Sequence, residues 1–321
     1  MGDFSADWLA LREPADRRAR SVRLVRDLVA RLAQQRQGMD LGPLRIIDLG
    51  CGTGANLRYL APWLDAGSGL RPREGQDWIC VDRDAALLAE LMRRARDGSS
   101  GLGGLGGMDG LGGLDGLGKL TGLAGQSGNP AVRIRTLELG LAQGLDSLPL
   151  AAGTLVVASA LLDLVSGQWL EKLLRSCAGS GAVLYLALTY DGRAALSPPH
   201  PDDRLVIDLV NAHQRRDKGL GPALGPGAPA CLAHLAAGLG LVLASDPSDW
   251  DLGGDQGALQ GQLIAGWLAA AREQAVIMPD GPRLEEQLSA WHRFRLGQVA
   301  EGRLHLRLGH QDCLLFPPFT P

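Results

Sequence analysis

Two acids lie where apolar runs meet turn-forming residues, and this spacing suits nucleotide binding. Asp48 stands near the end of the apolar run Leu44–Leu49, and the segment Gly50-Cys51-Gly52-Thr53-Gly54 follows it. Glycines let a ligand approach the backbone closely, and the start of the helix predicted from Ala55 offers unpaired N–H groups. Asp82 ends a second apolar run, where a carboxylate can accept hydrogen bonds from ribose hydroxyls. The pattern therefore predicts a nucleotide-binding corner.

The segment from Ile46 to Asn56 resembles motif I of the class I S-adenosylmethionine-dependent methyltransferases. In that family an acid two residues before the first glycine contacts the amino group of the cofactor's methionine part, and Asp48 has this position. The resemblance covers about residues 40–190, and beyond them it extends only to the layout. It implies S-adenosyl-L-methionine as cofactor and methyl transfer as the reaction. The cofactor-binding residues that it implies are Asp48, Gly50, Cys51, Gly52, Thr53, Gly54, Asp82, Arg83, Ser159 and Leu161.

Two alternatives remain open for the same motif. The run Gly50–Ala55 also satisfies the G-x-G-x-x-A pattern of dinucleotide-binding folds, which would make the protein an NAD(P)-dependent oxidoreductase. The acid inside the strand end and the crowded glycines favour the methyltransferase. A non-catalytic module with the same fold is the other alternative, and the intact Asp48, glycines and Asp82 argue against it.

Three residues are candidates for the methyl-acceptor side. Asp163 follows the predicted fourth strand and Tyr190 the fifth, and ligands of open α/β sheets bind at that edge. His213 lies four residues before Asp217, so that the acid can orient an imidazole suited to accept a proton near neutral pH. The competing interpretation makes Asp163 a helix cap and His213 part of a solvated helix end. Arg12 is a further candidate, as the partner of a carboxylate.

These residues need a parallel sheet to bring them together. We expect an open, seven-stranded, mostly parallel sheet with helices on both faces, an N-terminal helical lid and helical additions near the C-terminus. Apolar or alternating runs predict the first six strands, and a hairpin within residues 304–316 is expected to hold the antiparallel seventh. The six runs are Leu44–Leu49, Trp78–Asp82, Val132–Leu137, Leu155–Ser159, Val183–Leu188 and Leu241–Ala244.

The sequence divides into a helical cap and one larger domain. Residues 1–40 form the cap, with a helix predicted to start near Pro14, and residues 41–321 form the methyltransferase domain. Residues 98–129 are dominated by glycine and leucine without a sustained period, which predicts a flexible insertion. Residues from about 189 to 230 carry the polar cluster around His213 and form the predicted acceptor region.

Composition narrows the partners and the location. The net charge of −3 and the lack of basic runs interleaved with aromatics argue against a nucleic-acid partner. The five cysteines are far apart without a C-x-x-C pair, which favours reduced thiols in the cytoplasm over disulfides or a metal site. No apolar run is long enough to span a bilayer. A small molecule is the first expectation for the acceptor and a protein side chain the second.

Overall fold

The computed structural model describes residues 5–37, 42–67, 75–97, 105–107, 120–125, 132–142, 144–278 and 281–318. Within these ranges the chain forms a single ten-stranded sheet. Its strands are β1 (Leu44–Leu49), β2 (Gln76–Asp82), β3 (Leu105–Gly107), β4 (Leu120–Gly125), β5 (Val132–Glu138), β6 (Leu155–Ser159), β7 (Val183–Ser197), β8 (Val242–Pro247), β9 (Trp250–Leu252) and β10 (His305–Phe316).

Seven neighbouring strands of this sheet, β5-β2-β1-β6-β7-β10-β8, confirm the predicted seven-stranded, mostly parallel arrangement. The order across the sheet is β3-β4-β5-β2-β1-β6-β7-β10-β8, and β9 pairs with β10 off this path. The pairs β5–β2, β2–β1, β1–β6 and β6–β7 are parallel. Strand β10 runs antiparallel to both of its neighbours, β7 and β8. The carboxyl ends of the central parallel strands therefore meet at one edge, where the chemistry was predicted.

Helices cover both faces of the sheet. The helices are α1 (Ala6–Ala19), α2 (Val22–Arg36), α3 (Ala55–Gly67), α4 (Ala85–Arg96), α5 (Gly167–Ser180), α6 (Asp203–Gln214), α7 (Ala228–Gly238), α8 (Gly257–Ala275) and α9 (Gly281–Ala300). Alternate strand residues point to opposite faces, so Ile46 packs with α2, α3 and α4 while Ile47 packs with α5 and α7. A third apolar cluster, with Trp267 and Trp291 at its centre, joins α1, α6, α8 and α9.

Two strands are longer than the sequence predicts. Strand β7 runs for 15 residues, so Tyr190 and Asp191 lie within the sheet and not in a loop of the acceptor region. The hairpin predicted within residues 304–316 is wrong, because β10 is one strand that pairs with β7 along its whole length. Its pairing shifts register between Leu308 and His310 and again between Gln311 and Cys313. These irregularities let the strand continue past Gly309.

The cap helix begins earlier than predicted, and part of the insertion forms strands. Helix α1 begins after Ser5, whose hydroxyl accepts the Trp8 N–H, and Pro14 lies inside it, so the predicted start at Pro14 is wrong. Within residues 98–129, β3 and β4 form an antiparallel pair, and β4 adds to the edge strand β5. An edge strand offers unpaired backbone groups to any neighbour, so β4 needs no apolar period. The other residues of the insertion lie outside the described residues.

None of the helices in the described part of the chain is both long and apolar enough to cross a membrane.

Candidate functional site

The glycine segment between β1 and α3 has a backbone that only glycine adopts easily. Gly50, Gly52 and Gly54 have φ of +65°, +52° and +87°. A Cβ atom on Gly52 would lie 2.9 Å from the Cδ1 atom of Leu9 in α1. The turn therefore needs glycine at this position both for its conformation and for the close approach of the cap helix.

Asp82 fixes the turn to the end of the neighbouring strand β2. Its Oδ2 accepts the Gly52 N–H at 2.8 Å, and its Oδ1 accepts the Asp84 N–H at 3.0 Å. Asp84 itself caps α4 by accepting the N–H groups of Ala86 and Leu87. The carboxylate of Asp82 is thus held rigidly by two backbone donors and remains partly exposed to the cleft beside it.

Asp48 is fully buried in β1, and only one of its two carboxylate oxygens has a hydrogen-bond partner among the described residues. Asn56 Nδ2 donates to its Oδ1 at 2.7 Å, whereas its Oδ2 has no hydrogen-bond partner among the described residues. Burial raises the pKa of Asp48 to about 7, against the opposing effects of Asn56 and Arg20. A carboxylate kept at this cost is a sign of function.

Arg20, at the junction of α1 and α2, lies beside this carboxylate and is buried as well. Its Nη2 donates to Asn56 Oδ1 at 2.6 Å and to Ser159 Oγ at 3.1 Å. The guanidinium carbon lies 4.7 Å from the centroid of the Tyr59 ring. Its Nη1 is buried without a partner in the described part of the chain. The site thus holds one unpaired acceptor and one unpaired cationic donor, with Asn56 bridging their side chains.

A cleft opens at the carboxyl ends of β1, β2 and β6. It contains about 1100 Å³ of space between protein atoms, including its open mouth. Six of the ten predicted cofactor residues line it. They are Gly50, Gly52, Asp82, Arg83, Ser159 and Leu161. The other four are buried and are not among the lining residues: Asp48, Cys51, Thr53 and Gly54.

Two of the buried residues, Cys51 and Thr53, hold the glycine turn through backbone hydrogen bonds. The Cys51 N–H donates to the Val81 carbonyl of β2 at 3.0 Å. The carbonyl of Thr53 accepts from Arg58 Nη1 at 2.5 Å. These contacts tie the turn to β2 and α3, so the roles that the structure gives these two residues are positional.

Helix α1 closes one side of the cleft. Leu9 and Arg12 both line it. Glu13 holds the helix down through paired contacts to Arg58 Nε at 2.6 Å and Nη2 at 2.7 Å. Arg12 pairs with Asp16 of its own helix at 2.9 and 3.1 Å, so it has a carboxylate partner within α1.

Asp163 and Tyr190 lie near the cleft but do not line it. Asp163 is buried in the short turn Leu162–Leu164, and its Oδ1 has no partner among the described residues. Burial raises its pKa to about 6, against the opposing charges of Arg12 and Lys218. Tyr190 donates its hydroxyl to Asn211 Oδ1 at 2.7 Å, and burial raises its pKa.

His213 has different partners from those expected. Its Nε2 lies 2.9 Å from Glu273 Oε2 in α8, and its Nδ1 lies 3.5 Å from Lys218 Nζ. Asp217 does not serve as the orienting acid, because its Oδ1 accepts the Gly219 N–H. Burial lowers the pKa of His213. Lys218 lines the cleft, whereas His213 is not among its lining residues.

Four residues of this region were missed by sequence reasoning. Arg20 resembles the other arginines of the cap, and Asn56 shows only as a polar residue in the first turn of α3. Lys218 follows α6 among other charged residues, a pattern typical of a solvated helix end. His310 of β10 is buried, and its Nδ1 has no partner in the part of the chain that the structure describes. Its ring packs edge-on against Tyr190 at 6.1 Å between ring centroids. The alternation of apolar and polar residues along its strand could have indicated that His310 is buried. No local pattern indicates that Tyr190 is its neighbour.

Comparisons with known proteins give structural likenesses at low identity. A cyclopropane-fatty-acyl-phospholipid synthase-like protein from Lactobacillus casei matches with 13% identity and a TM-score of 0.46, over 95% of this chain and 99% of that one. An S-adenosylmethionine-dependent methyltransferase from Thiobacillus denitrificans, in complex with S-adenosyl-L-homocysteine, matches with 14% identity and a TM-score of 0.41, over 98% and 99%. No family model and no curated protein matches the sequence.

The architecture itself identifies the fold. Five parallel strands in the order β5-β2-β1-β6-β7 continue into the antiparallel β10, which is inserted before β8. The glycine turn follows β1, and the acid Asp82 ends β2. This chain has the fold of the class I S-adenosylmethionine-dependent methyltransferases.

Proposed function

We propose that the protein binds S-adenosyl-L-methionine in the cleft and transfers its methyl group to a small molecule. The observation that carries the proposal is a pair of buried groups near the glycine turn, Asp48 Oδ2 and Arg20 Nη1, neither of which has a partner among the described residues. The methionine part of the cofactor carries an ammonium and a carboxylate. The ammonium can donate to the unpaired oxygen of Asp48, and the carboxylate can accept from the unpaired nitrogen of Arg20.

The energetics of this pair favour an occupant of that kind. A buried carboxylate or guanidinium nitrogen without a partner costs free energy. An ammonium beside Asp48 stabilises its ionised form, and a carboxylate beside Arg20 completes the guanidinium. We assign Asp48 to the amino group, directly or through one water, and Arg20 to the carboxylate.

The other end of the cleft suits the nucleoside. Asp82 keeps part of its carboxylate exposed after accepting two backbone N–H groups, so it can also accept ribose hydroxyls. Leu139 and Leu141, which follow β5, add apolar walls next to Asp82 and Arg83. We assign these side chains to the adenosine part.

The dinucleotide alternative fits less well. The common dinucleotide-binding sheet has the order 3-2-1-4-5-6, whereas this sheet places the antiparallel β10 between β7 and β8. A dinucleotide also brings no ammonium to Asp48, so the buried acid would remain half satisfied. A protein side chain remains the runner-up to the small-molecule acceptor.

On the acceptor side the residues supply proton transfer and positioning. When bound, S-adenosyl-L-methionine supplies an electrophilic methyl group on a sulfonium. Asp163, with its pKa raised to about 6 by burial, is our candidate to take a proton from the acceptor. Tyr190 and Asn211 support this wall through their hydrogen bond. His213, predicted as the base, contacts Lys218 and Glu273, so we assign it the positioning of Lys218.

We propose the cytoplasm as the location, and the cysteines support it. All five are free thiols, which is the usual state in a reducing compartment.

Titration calorimetry with S-adenosylhomocysteine, NAD and NADP tests the proposal. We expect binding of S-adenosylhomocysteine alone. Asp82→Ala should weaken it by about 1–3 kcal/mol, the scale for losing hydrogen bonds to a charged group. Asp146→Ala, which removes an exposed acid paired with Lys172, is the matched control and should change nothing. Binding only to a nicotinamide cofactor would overturn the proposal.

A further inference from the structure

Two cationic side chains from distant parts of the chain line the cleft near Asp163. Arg12 comes from α1, and Lys218 comes from the loop after α6. Both are close enough to Asp163 to lower the pKa of its carboxyl group. Neither forms a hydrogen bond or an ion pair with it among the described residues, and Asp163 Oδ1 stays unpaired. The cations are therefore placed for something other than Asp163.

Both cations keep donors to spare. Arg12 donates from Nε and Nη2 to Asp16. Its guanidinium carbon lies 5.0 Å from the Trp250 ring centroid. In the described part of the chain, the hydrogen-bond contact of Lys218 Nζ is with His213 Nδ1, at 3.5 Å. An ammonium group has three donors, so most of the capacity of Lys218 is unused although the group is partly buried.

Burial also perturbs Lys218. It lowers the pKa of the ammonium group, and Glu273 and Asp163 oppose that effect only through their charge. A partly desolvated ammonium without a bonded carboxylate gains from an anion. Around it the cleft wall is apolar, with Leu161, Leu164 and Leu220.

We infer that the methyl acceptor carries a carboxylate or phosphate group that Lys218 and Arg12 bind, and an apolar body that packs on Leu161, Leu164 and Leu220. This inference rests on the proposed methyltransferase function. It narrows the acceptor to amphiphilic anions. Arg12 and Lys218 both line the cleft and are different residues from Arg20, which we assign to the cofactor.

The test measures the binding of four probes to the full chain saturated with S-adenosylhomocysteine. The probes are hexanoate, hexyl phosphate, hexan-1-ol and hexylamine, which share the apolar body and differ in the head group. We expect at least one anion to bind about tenfold or more tightly than the alcohol, with the amine weakest. Preference for hexanoate or for hexyl phosphate distinguishes a carboxylate from a phosphate acceptor.

Variants tie the preference to the lysine. Lys218→Gln should remove most of the advantage of the anion over the alcohol, and Lys218→Arg should keep it. Lys172→Gln is the control, since that lysine pairs with Asp146 on the surface. The affinity for S-adenosylhomocysteine should be the same in Lys218→Gln as in the wild type.

Four results would overturn the inference. They are equal or tighter binding of the alcohol or the amine, no anion binding below about 10 mM, an unchanged preference in Lys218→Gln, and a parallel loss of S-adenosylhomocysteine affinity in that variant. The last would show that Lys218 serves the cofactor. Failure of the proposed function is distinct, because the wild type would then not bind S-adenosylhomocysteine before any probe is added.

Discussion

Replacing Asp48 by asparagine should stabilise the unliganded protein while abolishing cofactor binding. Asparagine has the shape of the protonated acid and can still accept from Asn56 Nδ2, which now bonds Asp48 Oδ1. The substitution removes only the charge whose burial is unfavourable. Sites that bind charged ligands are commonly less stable than an uncharged version would be.

The magnitude follows from the pKa of the acid. Burial raises it from 3.8 to about 7, which corresponds to at most about 4 kcal/mol at 1.36 kcal/mol per tenfold change in proton affinity. Between pH 4 and 7 the folded chain holds a proton on Asp48 that the unfolded chain has lost, so Asp48 lowers the stability as the pH rises through this window. The advantage of Asp48→Asn should thus be near zero at pH 4 and about 2–4 kcal/mol at pH 8.

Urea unfolding of the ligand-free wild type and variant at pH 4, 6 and 8 measures this difference directly. Asp146→Asn on the surface serves as the control, with no pH-dependent gain expected. With saturating S-adenosylhomocysteine, the wild type should gain stability and Asp48→Asn should not. An advantage that does not depend on pH, or a variant less stable than the wild type at pH 8, would refute the reasoning.

Three further predictions concern the turn, the cap and the insertion. Gly52→Ala should cost about 1–3 kcal/mol, because φ is +52° and its Cβ would meet Leu9; urea unfolding should show no such loss for Gly179→Ala, which has open space around it. Glu13→Gln should loosen α1, seen as faster amide exchange there and weaker S-adenosylhomocysteine binding, whereas the surface control Glu171→Gln should leave both unchanged. Replacing residues 98–129 by a short Gly-Ser turn should keep the cofactor affinity within about twofold, and a large loss in calorimetry would show that the insertion is needed.

The cofactor half of the site could be predicted because its signals are local. The glycines, Asp48 and Asp82 lie at strand ends that the sequence itself marks with apolar runs. A short window therefore contains both the residue and the element that positions it. The hydrogen bond from the Gly52 N–H to Asp82, in contrast, joins two such windows 30 positions apart, and neither window shows it.

The acceptor half could not be predicted in the same way, because its contacts join distant segments. His213 reaches Glu273 across 60 positions. On the cofactor side Arg20 was missed for the same reason, because it reaches Ser159 across 139 positions. The sequence offers Asp217, four residues away, as the acid that orients His213. In the structure α6 packs on α8, and Glu273 of α8 is the acid that contacts His213 instead. Likewise, strand β10 continues past Gly309 because β7 offers a partner along its whole length.

A crystal structure of the full chain with S-adenosylhomocysteine tests the central claim most directly. We expect the amino group of the ligand to lie within hydrogen-bond distance of Asp48 Oδ2, directly or through one water, and its carboxylate to contact Arg20 Nη1. The ribose hydroxyls should then face Asp82. A ligand whose amino-acid end points away from both Asp48 and Arg20, or one bound outside the cleft, would contradict the account.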